Sequence, residues 1–283
     1  MQEVSNYIAA LEHGMGRLRK GFPLCIRLLR EMHSKLMAGG RGSDKMPGEF
    51  RRSQNWIGGT RRSNAYFVPP PPQEVEACMT ALEIFLHADA DGLPILLRAA
   101  LAHVQFETIH PFRDGNGRLG RLLIALLLHH GRLLSEPLLY LSLYLKQHRT
   151  MCYELLDRVR THGDWGAWTD FFLEGVRETA TDAVQTAQRL GKLFEADTQR
   201  VQQGGTAAAT ASALRVLAAL RQRPLTSLKH LVERSGLSFP TASKAMQTLT
   251  QLGIAEERTG QRRNRIFAYT AYLDVLNEGG APM

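Results

Sequence analysis

The chain has 283 residues, of which 44% are hydrophobic and 22% are charged, and a net charge of +8 at pH 7. This composition excludes an intrinsically disordered chain, and at roughly 150 residues per domain the length predicts two domains. The longest apolar run near the middle, Leu122 to Leu128, is far shorter than a membrane-spanning helix of about 20 residues, so we expect no membrane partner.

The N-terminal residues and the cysteines indicate in which cellular compartment the protein functions. The first six residues lack a basic start followed by an apolar run, which predicts a cytoplasmic protein. Cys25, Cys78 and Cys152 are far apart and show no CxxC spacing. We therefore expect neither a disulfide framework nor a structural zinc site.

Helical spacing of apolar residues dominates the N-terminal part of the chain. The pattern runs from Tyr7 to Leu11, from Leu24 to Leu36, from Val75 to Leu86 and from Ile95 to Phe106. It predicts a mainly α first domain.

One segment interrupts this pattern. Between Gln54 and Pro72, two apolar stretches at 56–57 and 66–68 flank a turn rich in Gly, Arg, Ser and Asn, and a run of prolines follows. The segment predicts a short β-hairpin that ends at the prolines. At this point two interpretations remain, an ordinary surface hairpin and a functional flap.

The segment His110–Arg121, with the sequence HPFRDGNGRLGR, lies between two helical patterns. Gly115 and Gly117 allow successive backbone N–H groups to turn inward, and the positive end of the following helix adds to the anion site that they form. Arg118 and Arg121 are three residues apart, so both lie on one helix face and suit neighbouring phosphates. The segment therefore predicts a phosphate site.

His110, Phe112 and Asp114 supply the remaining chemistry. The ordinary pKa of histidine, near 6.5, suits a general base that takes a proton from a hydroxyl attacking phosphorus. Asp114 offers a hard oxygen ligand for Mg²⁺, and Phe112 is placed to anchor the loop in the core. A glycine-rich loop or a single histidine is usually structural, but their combination favours a reactive site. The sequence has no GxxxxGK[ST] loop, so this is not a P-loop.

At these residues the sequence resembles the Fic family, whose signature is HxFx(D/E)GNGRxxR. All eight specified positions are met, by His110, Phe112, Asp114, Gly115, Asn116, Gly117, Arg118 and Arg121. The resemblance extends over residues 3 to about 195. It implies a mainly α fold, a Fic helical bundle with a β-hairpin flap.

The resemblance also implies a protein adenylyltransferase, which moves AMP from Mg-ATP to a Ser, Thr or Tyr hydroxyl of a protein target, the chain itself included. His110 would be the base and Asp114 the Mg²⁺ ligand, while ATP would be bound by Gly115, Asn116, Gly117, Arg118, Arg121, Cys152 and Tyr153. Cys152 and Tyr153 stand where the family often has two adjacent tyrosines that line the adenine pocket. The target-positioning flap would be Asn64, Ala65, Tyr66, Phe67 and Val68.

The family commonly restrains itself with an (S/T)xxxE(G/N) helix, whose glutamate pairs with the second motif arginine. The spacing occurs here only at Thr150 and Glu154, which is followed by Leu155 in what reads as a core helix. We therefore expect no glutamate of this chain to be placed to pair with Arg121, and a nucleotide site that is open without an activator.

A glycine pair and an alanine-rich run between 202 and 213 indicate a linker. We place the Fic domain at 1–201, the linker at 202–212 and a second domain at 213–283. Five of the eight net positive charges follow residue 205, which favours an acidic partner for the second domain.

The second domain has a helix-turn-helix pattern, with helices predicted over Leu225–Arg234 and Ser238–Leu252 and a turn centred on Gly236. A strand after Gly253 and a basic hairpin tip complete a small winged-helix (α+β) domain. DNA binding would use Ser238, Thr241, Ser243 and Lys244 in the major groove, with Arg262, Arg263 and Arg265 on the backbone or in the minor groove.

Two alternatives stay open for this protein. The winged helix would serve as a protein-interaction or homodimer module, or the whole chain would be a DNA-binding transcriptional regulator whose Fic domain senses nucleotide. The intact motif favours the enzyme, because a sensor has little use for His110.

Overall fold

The computed structural model describes residues 2–39, 42–88, 92–134, 141–204, 206–261 and 264–278. The chain divides into two compact units, residues 1–180 and residues 181–283. No helix within these described ranges is both long enough and apolar enough to span a membrane.

The first unit is helical, as the spacing predicts. Its helices are α1 (Gln2–Arg19), α2 (Ile26–Leu36), α3 (Val75–Leu86), α4 (Ile95–Ile109), α5 (Asn116–His130), α6 (Leu141–Gln147), α7 (Arg149–His162) and the first part of α8 (Trp165–Gln203). The four predicted helical patterns correspond to α1, α2, α3 and α4.

Helix α5 is the centre of this unit, because it is buried around most of its circumference and packs on α1, α2 and α4. A helix that is apolar all round lies inside a protein rather than at its surface. Phe106, Leu122, Trp168 and Phe172 are fully buried in the surrounding core. The indole of Trp168 donates to the Ala100 carbonyl at 3.0 Å, which ties α8 to α4. The phosphate motif therefore runs into the N-terminus of the buried central helix.

The segment predicted as a β-hairpin forms only a single antiparallel bridge, between Ile57 and Phe67. Gly58 and Gly59 are left-handed, with φ of 70° and 67°, and a short 3-10 helix follows at Arg62–Asn64. The Asn64 side chain accepts from the N–H groups of residues 60 and 61, which closes the loop locally. The antiparallel pairing and the turn therefore lie at the predicted residues, although the pairing is a single bridge rather than a ladder of several pairs.

The second unit contains a three-stranded sheet among its described residues. Its elements after α8 are α9 (Ala207–Gln222), β1 (Leu225–Ser227), α10 (Leu228–Ser235), α11 (Phe239–Gln251), β2 (Glu256–Glu257), β3 (Ile266–Ala268) and α12 (Thr270–Asn277). The strand order is β1-β3-β2, and both pairings are antiparallel. Gly236 ends α10 with φ of 64°, at the predicted turn. The structure confirms a mainly α protein with a small winged-helix domain.

The start of the second unit differs from the predicted boundaries. Helix α8 continues to Gln203, and the alanine-rich run forms the start of α9, because alanine has the highest helix propensity. Val201 is buried in the second core with Val216 and Leu217. The border between the units therefore falls between residues 180 and 181, within α8, and most of the predicted linker 202–212 is helical.

Candidate active site

His110 follows α4 directly and has a left-handed backbone, with φ of 49° and ψ of 59°. This conformation is uncommon for a residue with a Cβ, and surrounding contacts must hold it. Arg51, only 2% exposed, donates from Nε to the His110 carbonyl at 2.9 Å, and its own N–H donates to the Pro111 carbonyl at 2.9 Å. Its guanidinium also donates to the carbonyls of Pro70 and Ile109. Arg51 therefore fixes the turn that carries the base.

The loop after His110 is closed by its own side chains. Asn116 accepts from the Phe112 N–H at 2.9 Å and donates to the Phe112 carbonyl at 2.8 Å. Phe112 is fully buried, as predicted, and stacks on the His33 ring at 3.8 Å. Since the Asn116 amide group is engaged inside the loop, its backbone N–H is what it can offer to a phosphate.

His33 supports the same loop from α2. Its Nδ1 accepts from the Gly48 N–H at 2.8 Å, so Nε2 is the nitrogen that donates to the Asp114 carbonyl, at 2.9 Å. Burial, more than its neighbours, lowers the pKa of His33 and keeps the ring neutral at pH 7. This residue was not singled out from the sequence, because it lies 77 positions before the motif's first residue in a helix of ordinary pattern.

The glycines leave the helix end open. Gly115 is left-handed, with φ of 82°, and a Cβ built there would lie 2.8 Å from the Met37 sulfur. No side chain of the described residues caps the N-terminus of α5, so the N–H groups of its first turn are free for an anion. At Gly117 a Cβ would lie in ordinary contact, 3.4 Å from Nη1 of Arg121. That distance places the second motif arginine beside the open turn.

Asp114 and Arg118 complete the rim of this site. The Asp114 Oδ1 accepts from the Gly115 N–H at 2.6 Å and lies 3.9 Å from Arg118, whose Nη2 contacts the Met37 sulfur at 3.3 Å. No cluster of three or more His, Cys, Asp or Glu residues suited to a metal occurs in the part of the chain that the structure describes. A single carboxylate beside anion-binding donors fits a Mg²⁺ ion that takes its other ligands from a bound triphosphate and water.

A buried polar row runs along α4, formed by His103, Glu107 and then His110. The first two are 3% and 8% exposed, and Nδ1 of His103, Oε1 of Glu107 and Nδ1 of His110 make no hydrogen bond with any described residue. Burial raises the pKa of Glu107 to about 7 and lowers the pKa of both histidines to about 4. His110 is therefore a neutral imidazole at pH 7, as a base must be.

Glu107 lies in the neighbourhood of Arg121, and the expectation that no glutamate of this chain pairs with that arginine stays a prediction. The Arg121 guanidinium favours the ionised form of this carboxyl, although burial outweighs it. The Glu107 Oε1 is 3.8 Å from the Cβ position of Gly117, near the point that Arg121 approaches. The two side chains form no ion pair within 4.0 Å among the described residues. Helix α4 also carries Arg98, Gln105 and Thr108, so nothing in the sequence set His103 and Glu107 apart from its other polar residues.

Cys152 and Tyr153 lie on different sides of α7. Cys152 is 6% exposed, and burial raises the pKa of its thiol to about 12, with the Glu107 carboxyl acting in the same direction. Tyr153 is 51% exposed, and Arg149 donates to its hydroxyl at 3.3 Å. Adjacent positions of a helix point about 100° apart, so these side chains do not form one wall. Tyr153 alone is available to a nucleotide base from solvent.

The flap is held by Arg160 of α7. Its guanidinium lies 4.0 Å from the centre of the Phe67 ring, and it donates to the Thr108 hydroxyl at 3.1 Å and to the Glu107 carbonyl at 3.2 Å. Tyr66 is 86% exposed on the same flap, while Ala65 and Val68 are half-buried. Arg160 therefore joins the flap to the end of α4, one turn before the base.

The predicted DNA-contacting residues are only partly described. Lys244 is exposed on α11, Thr241 is half-buried with its hydroxyl 2.8 Å from that of Ser238, and Arg265 lies 5.4 Å from the Phe267 ring centre. A cleft of about 270 Å³ lies between α11 and the strands, and Ser243 and Arg265 line it. Arg262 and Arg263 lie outside the described residues.

Comparison with known proteins defines the class of both units. Residues 23–128 match the Fic/DOC family, and residues 209–259 match the IclR helix-turn-helix domain. The chain thus contains a Fic/DOC family domain followed by an IclR-type helix-turn-helix.

Similar proteins include curated adenylyltransferases. Protein adenylyltransferase Fic of Culex quinquefasciatus is 32% identical over 157 residues, 55% of this chain and 28% of that protein. The protein of the same name from Aedes aegypti is 36% identical over 134 residues, 47% of this chain and 24% of that protein. This chain thus spans only about a quarter of the length of these relatives.

A solved structure shares the fold. The crystal structure of a Fic family protein from Desulfovibrio desulfuricans G20 aligns with 95% of this chain and 74% of its own, with a TM-score of 0.57 and 22% identity. The alignment includes residues of both units of the present chain.

Proposed function

We propose that the protein is an adenylyltransferase that moves AMP from ATP to a hydroxyl side chain of a protein target. One observation carries the proposal. His110, neutral and fixed in position, lies beside the uncapped N-terminus of α5, and that helix also carries two arginines. The curated relatives named as protein adenylyltransferases support the same reaction class.

The reaction assigns one task to each group. The target oxygen attacks the α-phosphorus of ATP and gives its proton to Nε2 of His110, the P–O bond to the β-phosphate breaks, and pyrophosphate leaves. Because the Gly115 N–H donates to Asp114, the N–H groups of Asn116 and Gly117 cradle the phosphates, and Arg118 and Arg121 offset the charge of the leaving pyrophosphate. Mg²⁺ held at Asp114 would supply further charge neutralisation to the triphosphate.

The flap would present the target. Its bridge between Ile57 and Phe67 leaves the segment around Tyr66 exposed, and an extended peptide pairing there would bring a hydroxyl toward His110. Hydrogen bonds between main chains depend little on the side chains of the bound peptide. Other contacts would therefore select the target protein. Tyr153, on the exposed face of α7, is the side chain that we assign to the adenine base.

The position of the transferred label tests the reaction. The full chain is incubated with a cell lysate and Mg-ATP that carries the label either on the α-phosphate or on the γ-phosphate. We expect labelled protein only with α-labelled ATP. Labelling from the γ-phosphate would show a kinase, and no labelling of any protein would refute transfer.

We also propose that the second unit binds DNA, because it matches an IclR helix-turn-helix and exposes Lys244 on α11. Binding should be weak and fall steeply with salt, since each phosphate contact releases condensed counterions. Neutralising Arg262, Arg263 and Arg265 together should abolish the binding of the full chain to duplex DNA, measured by fluorescence anisotropy. No binding by the unmodified chain at low salt would favour the protein-interaction alternative.

A further inference from the structure

Helix α4 buries a carboxyl group that the transfer mechanism above does not use. The side chain of Glu107 is 8% exposed, and its neighbours Phe106 and Ile109 on the same helix are fully buried. Its Oε1 has no hydrogen-bond partner among the described residues, and neither has Nδ1 of His110. Buried polar atoms without partners are rare because each costs about 1–3 kcal/mol, so the pair calls for an explanation.

The other oxygen of the Glu107 carboxyl lies toward the imidazole of His110. Oε2 of Glu107 lies 3.9 Å from Nδ1 of His110, and the Glu107 backbone carbonyl also lies near the ring, outside hydrogen-bond geometry. Hydrogen bonds of a reactive group are often long without substrate and shorten in the reacting complex. Shortening this separation by about 1 Å would bring the two atoms within hydrogen-bond distance.

The opposite helix makes room for this carboxyl. A Cβ built on Gly120 would lie 2.6 Å from Oε1 of Glu107, closer than side-chain atoms approach. Glycine inside a helix costs about 1 kcal/mol relative to alanine. Arg160 on α7 donates to the backbone carbonyl of Glu107 and so fixes this part of α4. The room for the carboxyl itself comes from the missing side chain at Gly120 on α5.

We propose that Glu107 is the positioning residue of His110, accepting a hydrogen bond from Nδ1–H so that the Nε2 lone pair faces the target hydroxyl. The carboxylate also stabilises the imidazolium that forms when Nε2 takes the proton, which later passes to solvent. The arrangement follows the logic of a carboxylate that orients a catalytic histidine and keeps its own charge. This inference rests on the proposed transferase function.

The charges around the pair define its pH dependence. The groups facing Glu107 and His110 are His103 on α4, Arg121 on α5, Cys152 and Arg160 on α7, and Arg51 and Asp114 beside the base. Burial raises the pKa of Glu107 to about 7. The carboxylate form that stabilises imidazolium therefore increases as the pH rises through about 7, and the transfer rate should rise with it.

Kinetics of label transfer from α-labelled ATP separate positioning from binding. For Glu107→Gln in the full chain we expect kcat to fall at least tenfold while KM for ATP stays within about threefold, because the phosphates are held elsewhere. The rise of kcat between pH 6 and 8 should disappear. Glu107→Asp, which keeps the charge, should retain that rise at a reduced rate. Wild-type kcat or an unchanged pH profile in Glu107→Gln would overturn the assignment.

The matched control is Glu83→Gln, on α3, whose carboxylate accepts the Ile26 N–H at 2.6 Å away from the site. This variant removes a charge and weakens a structural hydrogen bond, so we expect a lower melting temperature with wild-type kcat and pH profile. A loss of kcat in the control equal to that in Glu107→Gln would mean that Glu107 acts only on stability.

Nitrogen NMR of the full chain decides the geometry independently of activity. With ¹⁵N-labelled histidine, and His110 assigned from its loss in His110→Gln, we expect the wild-type ring to carry its proton on Nδ1. Glu107→Leu should lose this preference. A proton on Nε2 in the wild type, or no change in Glu107→Leu, would refute the inference even in an active enzyme. Absence of label transfer with the expected spectra would instead refute the transferase function.

Discussion

Arg51 is a buried cation whose partners are almost all backbone carbonyls. It holds His110 in a left-handed conformation and also reaches Pro70, at the end of the flap segment. Burial lowers the pKa of its guanidinium, yet arginine stays protonated at neutral pH. A single side chain thus fixes both the base and the flap's exit.

Replacing Arg51 by lysine should destabilise the protein and misplace the base. A lysine has one donor group in place of a planar fork, so buried carbonyls lose charge-assisted hydrogen bonds, at a cost of about 2–4 kcal/mol. Chemical denaturation and label transfer measure the two effects. The control is Arg52→Lys at the exposed neighbouring position, which should behave as wild type. Equal stability of Arg51→Lys and Arg52→Lys would contradict this role.

His103 should make the protein less stable in acid. Burial, above all, lowers the pKa of its ring from 6.5 to about 4. As the pH falls below 6.5, His103 is therefore protonated in the unfolded chain but stays neutral in the folded chain. The resulting loss of unfolding free energy is roughly 3 kcal/mol once the pH reaches 4. Above pH 6.5 both states are neutral, and this contribution is fully present.

The measurement is the difference in unfolding free energy between wild type and His103→Gln across pH 4 to 7.5. A difference is needed because Glu107, with a raised pKa, contributes stability that is lost as the pH rises from 4.5 through about 7. Relative to wild type, His103→Gln should gain stability toward pH 4. His130→Gln, at an exposed histidine, is the control. A pH-independent difference for His103→Gln would contradict the buried neutral ring.

At the residue scale, the sequence identified only those site residues that lie close together along the chain. His110, Asp114 and the two arginines lie within one twelve-residue segment, where residue types and spacing define a phosphate site. Arg51, His33 and Arg160 support that segment from distant positions, and nothing local distinguishes them from surface cations or ordinary helix residues. Their role exists only once the chain has folded.

At the level of elements, Arg160 joins the flap to α7 and α4. Arg160 stacks on Phe67 and binds the end of α4, while the backbone pairing of the flap is the single bridge between Ile57 and Phe67. Arg160→Lys should loosen the flap, because lysine cannot stack and donate in two directions at once. Hydrogen exchange of the Ile57 and Phe67 amides should become at least tenfold faster.

The control for this prediction lies on the same helix. Arg158 is exposed and pairs with Asp164, so Arg158→Lys should leave the exchange of the flap amides unchanged. Equal protection of the flap in Arg160→Lys and wild type would show that the bridge alone holds it.

Element types were predictable where the pattern is long. Apolar spacing over ten or more residues identified α2, α3 and α4, since a buried helix face repeats many times. Short elements were not: Leu225 to Ser227 reads as the start of a helix, but the Ser227 hydroxyl caps α10 by accepting the His230 N–H, which leaves Leu225 and Thr226 to pair with β3. That pairing depends on residues about 40 positions away.

At the scale of the whole molecule, the C-terminal part of α8 belongs to the second unit through a buried polar contact. The Tyr269 hydroxyl donates to Asp197 at 2.6 Å, and Arg200 donates to the other carboxylate oxygen at 2.7 Å. Both Tyr269 and Asp197 are buried. A composition-based boundary could not locate this contact, because glycine and alanine near 205 look like a linker whatever packs around them.

Tyr269→Phe should therefore destabilise the second unit by about 1–3 kcal/mol, since a buried carboxylate loses one of its donors. Hydrogen exchange of the amides in α9 and β3 measures the effect. The control is Tyr272→Phe, because the Tyr272 hydroxyl makes no hydrogen bond with any described residue while its ring packs nearby on Phe194. Similar protection of these amides from exchange in both variants would show that the hydrogen bond from Tyr269 to Asp197 does not stabilise the second unit.

Intact-mass spectrometry of the full chain after incubation with Mg-ATP tests the central claim most directly. We expect a fraction of the wild-type protein to gain the mass of one AMP residue without any activator, and His110→Ala to remain unmodified while calorimetry finds its ATP affinity within a few-fold of wild type. An unmodified wild-type chain that also labels no protein in a lysate, or a His110→Ala chain modified as fast as wild type, would contradict the account.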